Sequence, residues 1–306
     1  MTKSNNPLAR LWRKLPLVGE KHPTVRVIVL SGAIGISSPG SGRALNYERM
    51  EKSIKAAFKP GKFDAVALQI NSPGGSPVQS RLIFNAIRQL ADENDVPVLS
   101  FIEDVGASGG YMLAIAGDEI FADEASIVGS IGVISGGFGF PEALQKLGIE
   151  RRVYTAGTNK GTNDPFQPVR EEDVAHLKTI LDDMHECFKG MVVDRRGKRV
   201  ETDHDDTFTG RYWTANGARE RGLIDGTGNL SEILKARYGK DVNLVKCSPQ
   251  SSSLLSRLTG SRAGSRAGQA QNAPSHSGGL SGGSLIDPAA LLDSMEERAL
   301  WSRFGR

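Results

Sequence analysis

The chain has 306 residues, 39% of them apolar and 6% aromatic, and a formal charge of +3. That composition builds a globular core, so wholesale disorder is excluded, and 36 aperiodic glycines without a sustained heptad exclude collagen-like and coiled-coil architectures. The charge is uneven. Residues 1–24 hold five basic side chains against one acidic, residues 248–306 six against four, and residues 25–247 hold 27 against 30. A nucleic-acid-binding body would concentrate Lys and Arg on one face, so no nucleic-acid partner is expected.

Along the chain, residues 1–24 read as a basic amphipathic leader. Leu8, Leu11, Trp12 and Leu15 follow i, i+3, i+4, i+7 spacing, with Arg10, Arg13 and Lys14 off that stripe. Such a segment suits the plane of an anionic membrane surface, or a disordered leader, or a helix docked on a partner. No run of about 18 apolar residues occurs, and the start lacks the apolar stretch of a secretory signal. The expected setting is therefore cytoplasmic, with peripheral contact to the cytoplasmic membrane through the leader.

Residues 25–247 read as the globular body. Val25 to Leu30 is a strand, Tyr47 to Phe58 a helix, and Ala65 to Ile70 a strand covered on both faces. Asn71 to Gly75 reads as a loop, Val78 to Asp92 as helix, Val96 to Ile102 as strand and Ala107 to Ala116 as helix. Glu119 to Ala122 and Ser126 to Val128 follow as short strands. The alternation predicts an α/β fold built from parallel βαβ units. Helices over Arg170 to Arg196 and Thr214 to Arg221 and a strand over Val242 to Lys246 complete it, with a helical C-terminal part. Residues 250–284 contain ten Ser and seven Gly, so 248–285 reads as a flexible linker. Asp287-Pro288 then signals a helix start, and 286–306 reads as a terminal amphipathic helix that packs on the core or a neighbouring subunit, or docks elsewhere.

Two cysteines, Cys187 and Cys247, fit neither a metal spacing nor a disulfide framework, and no metal or cofactor is expected. The chemistry-bearing features are two Gly-rich turns. In Asn71-Ser72-Pro73-Gly74-Gly75, adjacent glycines let backbone N–H groups reach a cavity. In Val105-Gly106-Ala107-Ser108-Gly109-Gly110-Tyr111, a serine opens a helix. Alone, the first is a turn and Ser108 an N-cap. Together, as successive loops of one βαβ ridge, they converge at one sheet edge and offer a nucleophile with oxyanion donors. The base stays open at this point. His22 and His276 lie in the flanks, His176 and His185 stand nine apart on the long helix, and His204 sits in a polar run. The lysine candidate is Lys160, in Gly157-Thr-Asn-Lys160; a desolvated lysine can act as base.

Ile70-Asn-Ser-Pro-Gly-Gly75, Ala107-Ser108-Gly-Gly-Tyr111 and Val128-Gly-Ser130-Ile-Gly-Val133, with Phe208-Thr-Gly-Arg211 and Ala218 to Asp225 downstream, resemble the signal peptide peptidase A family of serine proteases, peptidase family S49. The resemblance spans roughly residues 22–247. It implies a crotonase/ClpP-like fold and a serine endopeptidase with a Ser-Lys dyad that needs no histidine. The nucleophile falls on Ser108, the general base on Lys160, and a serine that bonds the lysine on Ser130. The oxyanion donors fall on the backbone N–H groups of Gly75 and Gly109, with Gly74 shaping the turn. The lysine loop departs from the usual family wording, reading Gly157-Thr-Asn-Lys160 and Asp164-Pro-Phe166. The chain resembles the single-length members, for which the resemblance implies a ring-like homo-oligomer whose dyad is shared between neighbouring subunits. Peptides with apolar segments, such as remnant signal peptides, are the implied substrates, in a bacterial cell. The competing readings are a catalytically inactive or acyl-CoA-type crotonase-fold protein and a phage-type maturation protease of the same family. A ClpP-type protease would need a histidine where Val133 stands.

Overall fold

The computed structural model describes residues 22–35, 44–200, 204–247 and 298–305. Most of the leader and the whole linker of the expected division lie outside them. Strand β1 (Thr24–Ser31) is followed by helix α1 (Tyr47–Ala57), whose first turn is capped by Asn46 Oδ1 accepting the Arg49 N–H at 3.0 Å. Strand β2 (Ala65–Ser72) leads into α2 (Pro77–Asn94), with Ser76 as its cap and Pro77 in the first turn. Strand β3 (Val98–Ala107) leads into the short α3 (Gly109–Ala114). Then come β4 (Glu119–Ala122), β5 (Ile127–Gly129), α4 (Pro141–Lys146), the long α5 (Glu171–Arg196), β6 (Tyr212–Thr214), α6 (Ala215–Glu220), β7 (Gly226–Thr227), α7 (Leu230–Tyr238) and β8 (Asn243–Lys246).

The eight strands form one sheet, ordered β6-β5-β3-β2-β1-β8, with β4 pairing β3 and β7. All pairs are parallel except β5 with β6. The α/β class, the parallel βαβ units and the helical C-terminal part expected of a crotonase-like chain are present. Strand β3 is shared lengthwise: Leu99–Ile102 pair with β4 and Val105–Ala107 with β5. Two boundaries differ from the sequence reading. Strand β2 runs on through Asn71-Ser72, and β3 through Ala107, because Ser72 still pairs with Gly106 beyond a bulge that takes up Glu103 and Asp104. Helices α4 and α7 and strands β6 and β7 carry too weak a periodicity to read from sequence.

The main core lies between one sheet face and α1, α2, α3 and the C-terminal part of α5, with Ile28, Leu68, Ile70, Ile83, Ile87, Leu113, Phe188 and Val192 buried in it. The opposite face is covered by α7 over Val27, Ala67, Leu99, Phe101 and Phe121. Burial on both faces explains the near-continuous apolar run of β2.

The C-terminal segment returns to the body. Residues 298–302 are helical. Phe304 is buried against Val105 and Ala107, with its ring edge-on to Tyr212 at 5.1 Å. Tyr212 Oη donates to the Arg303 carbonyl at 3.1 Å. Of the readings open for the terminal helix, packing on the core is the one observed for these residues.

Candidate active site

Three parallel strands end side by side, and each delivers one part of the site. At the end of β2, Ser72 is fully buried; its hydroxyl donates to the Gly32 carbonyl at 2.7 Å and accepts the Gly74 N–H at 3.3 Å. Gly74 and Gly75 have φ of +97° and +142°, and a Cβ on Gly75 would lie 1.9 Å from the Ile34 carbonyl oxygen. No side chain fits there. Ile34 N–H donates to Gly74 O at 2.8 Å and Ser76 N–H to Ile34 O at 2.7 Å. The turn is thereby stitched to the chain beside it. Gly74 spends its N–H on Ser72, whereas Gly75 donates its own to no backbone group among the described residues.

At the end of β3, Ser108 stands at φ +52°, ψ −124°, a conformation L-residues rarely adopt. It occupies the cap position of α3, yet its hydroxyl makes no capping bond. Ser108 is thus the N-cap by position, its carbonyl accepting from Tyr111 and Met112 N–H at 2.9 and 3.0 Å, but its Oγ caps no helix N–H. A sharp strand-to-helix turn holding a strained serine with an uncommitted hydroxyl is the geometry of a nucleophile elbow. A Cβ on Gly74 would lie 2.7 Å from the Gly109 nitrogen and 2.8 Å from Ser108 Cβ, so the two turns meet in contact. Gly109 opens α3, where its N–H has no partner within the helix.

At the end of β5 stands Ser130, also at positive φ, +53°. Ala107 pairs with Gly129, and Ser108 N–H donates to Gly129 O at 2.8 Å. Ser108 and Ser130 are thus successors of paired residues on neighbouring strands, whose backbones run about 4.8 Å apart. Ser130 N–H donates to Arg211 O at 2.7 Å. The structure brings Ser108, Ser130, Gly74, Gly75 and Gly109 into one place. Replacing Ser108 by glycine would relieve strain worth about 1–3 kcal/mol against glycine's entropic cost of about 0.5–1 kcal/mol. Ser108→Gly is therefore expected to raise the thermal midpoint while removing the hydroxyl. A lowered midpoint in thermal denaturation would show that the elbow stores no strain.

Residues 91–243 match the sequence profile of Peptidase family S49. The chain belongs to peptidase family S49. Among curated relatives it is similar to the Na(+)/H(+) antiporter NhaA of Brucella abortus, 44% identical over 96% of this chain and 38% of that protein. It is also similar to the chloroplastic serine protease SPPA of Arabidopsis thaliana, 31% identical over 74% of this chain and 34% of that protein. The putative signal peptide peptidase SppA of Enterococcus faecium is 26% identical over 80% of this chain and 72% of that protein. The chain thus spans little more than a third of the first relatives it matches.

Within this S49 chain the two downstream motifs take structural parts. Phe208-Thr-Gly-Arg211 supplies the carbonyl that holds Ser130. In Gly222-Leu-Ile-Asp225, a Cβ on Gly222 would lie 1.4 Å from the Arg199 carbonyl oxygen. Asp225 accepts from Arg196 Nη1 and Nη2 at 2.8 and 3.0 Å and from Ile120 N–H at 2.8 Å.

Lys160 is placed differently from the five residues above. It is exposed in a loop of an arm, residues 132–170, in which no residue is buried. The arm closes on itself: Phe140 N–H donates to Pro165 O at 2.6 Å, the Phe140 and Phe166 rings lie 5.7 Å apart, and Arg151 pairs with Asp164. It leaves Phe138, Tyr154 and Val169 at least 80% exposed. Asp164-Pro165-Phe166 is therefore the clasp of this arm. His185, one of the two histidines weighed on the long helix, reaches the backbone beside Ser130: its Nε2 lies 3.1 Å from the Ile131 carbonyl oxygen. The signal was available, since His185 shares the α5 stripe of Leu181, Phe188 and Val192. No helix among the described residues is long and apolar enough to cross a membrane.

Proposed function

We propose that the chain is a serine endopeptidase that uses a Ser-Lys dyad, acting on peptides with apolar segments such as remnant signal peptides. The observation that carries this reading is the strained Ser108, its hydroxyl uncommitted, held against the Gly74-Gly75 turn. An acyl-CoA enzyme of the crotonase type needs the oxyanion donors but no nucleophile, so it has no use for a serine held in that conformation.

Uncharged Lys160 takes the Ser108 Oγ proton as the oxygen bonds to the scissile carbonyl carbon. The N–H groups of Gly75 and Gly109 donate to the developing oxyanion. Collapse of the tetrahedral species breaks the C–N bond, and the leaving amine takes the proton from Lys160, leaving an ester on Ser108. Lys160 then takes a proton from water as it attacks that ester, and Ser108 regains the proton as the acid departs. Ser130 orients the lysine ammonium.

Lys160 is a base only where water is stripped from it, because desolvation disfavours the ammonium. In its own chain it is exposed. The exposed apolar residues of the arm support its docking on a neighbouring subunit, which would bury that surface and bring Lys160 to the neighbour's Ser108. The leader would add peripheral contact with an anionic membrane.

The test is complementation between Ser108→Ala and Lys160→Ala. Each homogeneous variant should fail to cleave a peptide substrate, and subunits of the two, dissociated and reassembled together, should recover cleavage. Full activity in Lys160→Ala alone would sink the dyad. Mixed oligomers without recovery would sink its sharing between subunits.

A further inference from the structure

Helix α5 is about 39 Å long at 1.5 Å per residue, and its N-terminal half continues from the arm that bears Lys160. The helix meets the body along His185, Phe188 and Val192, spaced i, i+3 and i+7, a stripe that Leu181 extends toward the N-terminus. Phe188 and Val192 are buried, and His185 is half-buried among them. A histidine on an apolar stripe must satisfy its polar atoms, and His185 does so with Nε2 at 3.1 Å from the Ile131 carbonyl oxygen. A carbonyl only accepts, so Nε2 carries the proton and donates. That nitrogen is consequently spent, and does not serve as the base for Ser108.

The partner of that bond gives it meaning. Ile131 is fully buried and directly follows Ser130. Ser130 holds φ +53°, a conformation that persists only when its surroundings enforce it. Beyond the ladder that pairs Gly129 with Ala107 and Tyr212, residues 129–131 are held by Ser108 N–H to Gly129 O, Ser130 N–H to Arg211 O, and His185 to Ile131 O. The first two are backbone bonds from within the sheet region. The third comes from a side chain on α5, the element continuous with the arm.

We propose that His185 is a positioning residue of the Ser-Lys centre. By holding the Ile131 carbonyl it keeps Ser130 in its left-handed conformation. It thereby ties the serine that orients the lysine to the helix that carries the lysine's arm. This rests on the reading of Ser108, Lys160 and Ser130 given above.

The experiment compares His185→Ala, His185→Gln and His185→Leu in the full chain. It reads the rate at which a fluorophosphonate labels Ser108, kcat and KM for a peptide substrate, and the thermal midpoint. Loss of one hydrogen bond of about 1–1.5 kcal/mol predicts that His185→Ala lowers labelling rate and kcat about tenfold, with KM within about twofold. Gln, whose side-chain amide donates to the same carbonyl, should restore most of the loss. Leu fills the space without donating and should not. Wild-type labelling in His185→Ala overturns the proposal, as does equal recovery by Leu and Gln, which would reduce His185 to packing. Should His185→Ala fail to fold, the Gln and Leu pair decides by the same criterion. A wild type that does not label at Ser108, or labels equally after Lys160→Ala, overturns the dyad reading and this inference with it. A wild type that labels in a Lys160-dependent way while all three His185 variants match it overturns the inference alone.

Discussion

Ser108→Ala should lower kcat for a peptide substrate by on the order of 10⁶-fold, the scale on which serine proteases respond to loss of their nucleophile. The argument for so large an effect with an intact fold is local. The hydroxyl of Ser108 makes no capping bond, and the backbone groups of the residue do the structural work, donating to Gly129 O and accepting from Tyr111 and Met112. Alanine keeps the Cβ and tolerates φ +52° no worse than serine does, so the thermal midpoint should stay within about 2 °C, less than a 1 kcal/mol change would move it. Activity assays and calorimetry on the same preparation check both halves. Retained turnover in Ser108→Ala would remove the acyl-enzyme mechanism.

The largest stability effect is expected at Arg196. Its side chain is 1% exposed, and it gives Nε to the Gly222 carbonyl at 2.8 Å and both terminal nitrogens to Asp225. Removing the buried partner of an ion pair costs about 3–5 kcal/mol, and the cation left to Asp225 is the partly exposed Arg199, whose Nη1 lies 3.3 Å from its Oδ1. For a body of this size that is a fall of roughly 6–20 °C in thermal midpoint for Arg196→Ala. Lysine should rescue little, because it offers no planar fork for the bidentate contact.

Acid should reveal the same pair. Burial pushes the Asp225 carboxyl up, but the Arg196 hydrogen bonds, the Ile120 N–H and the nearby guanidinium charges of Arg196 and Arg199 outweigh it and hold the carboxyl below the ordinary range. A carboxyl lowered in the folded state stabilises fully above its unfolded pKa of about 3.9. That contribution is lost as the pH falls through the folded value. Wild type should therefore lose stability below about pH 4, and Asp225→Asn, weaker at neutral pH, should show a flatter acid limb. Parallel limbs in the two proteins would place the acid sensitivity elsewhere.

Much of this molecule is written locally. The apolar run of β2, the helical periodicity of α1 and α2, the strand–turn–helix around Ser108 and the Pro-Gly-Gly turn are all decided within a few residues, by side-chain periodicity and by the φ that glycine permits. They were legible for that reason. The strand ends were not, because Asn71-Ser72 and Val105 to Ala107 are kept in the sheet by partners on other strands, across a bulge. Helix α7 is not legible because a nine-residue helix at the sheet's second face buries only Leu234 fully, which leaves almost no periodic signal.

The sequence by itself determined the parallel α/β class, the Gly-flanked turn at Ser108 and the Pro-Gly-Gly turn, because each follows from short-range sterics and hydrophobic pattern. Only the tertiary structure decided what stands beside them. Strand register brought Ser130 next to Ser108, helix docking set His185 on the carbonyl after Ser130, and Arg196 met Asp225 across a separation of 29 residues. It also left Lys160 on an arm with no buried residue, and seated Phe304 on β3, the strand that leads into Ser108. Such contacts depend on which distant surfaces exclude water together, and no window of sequence contains both of their halves.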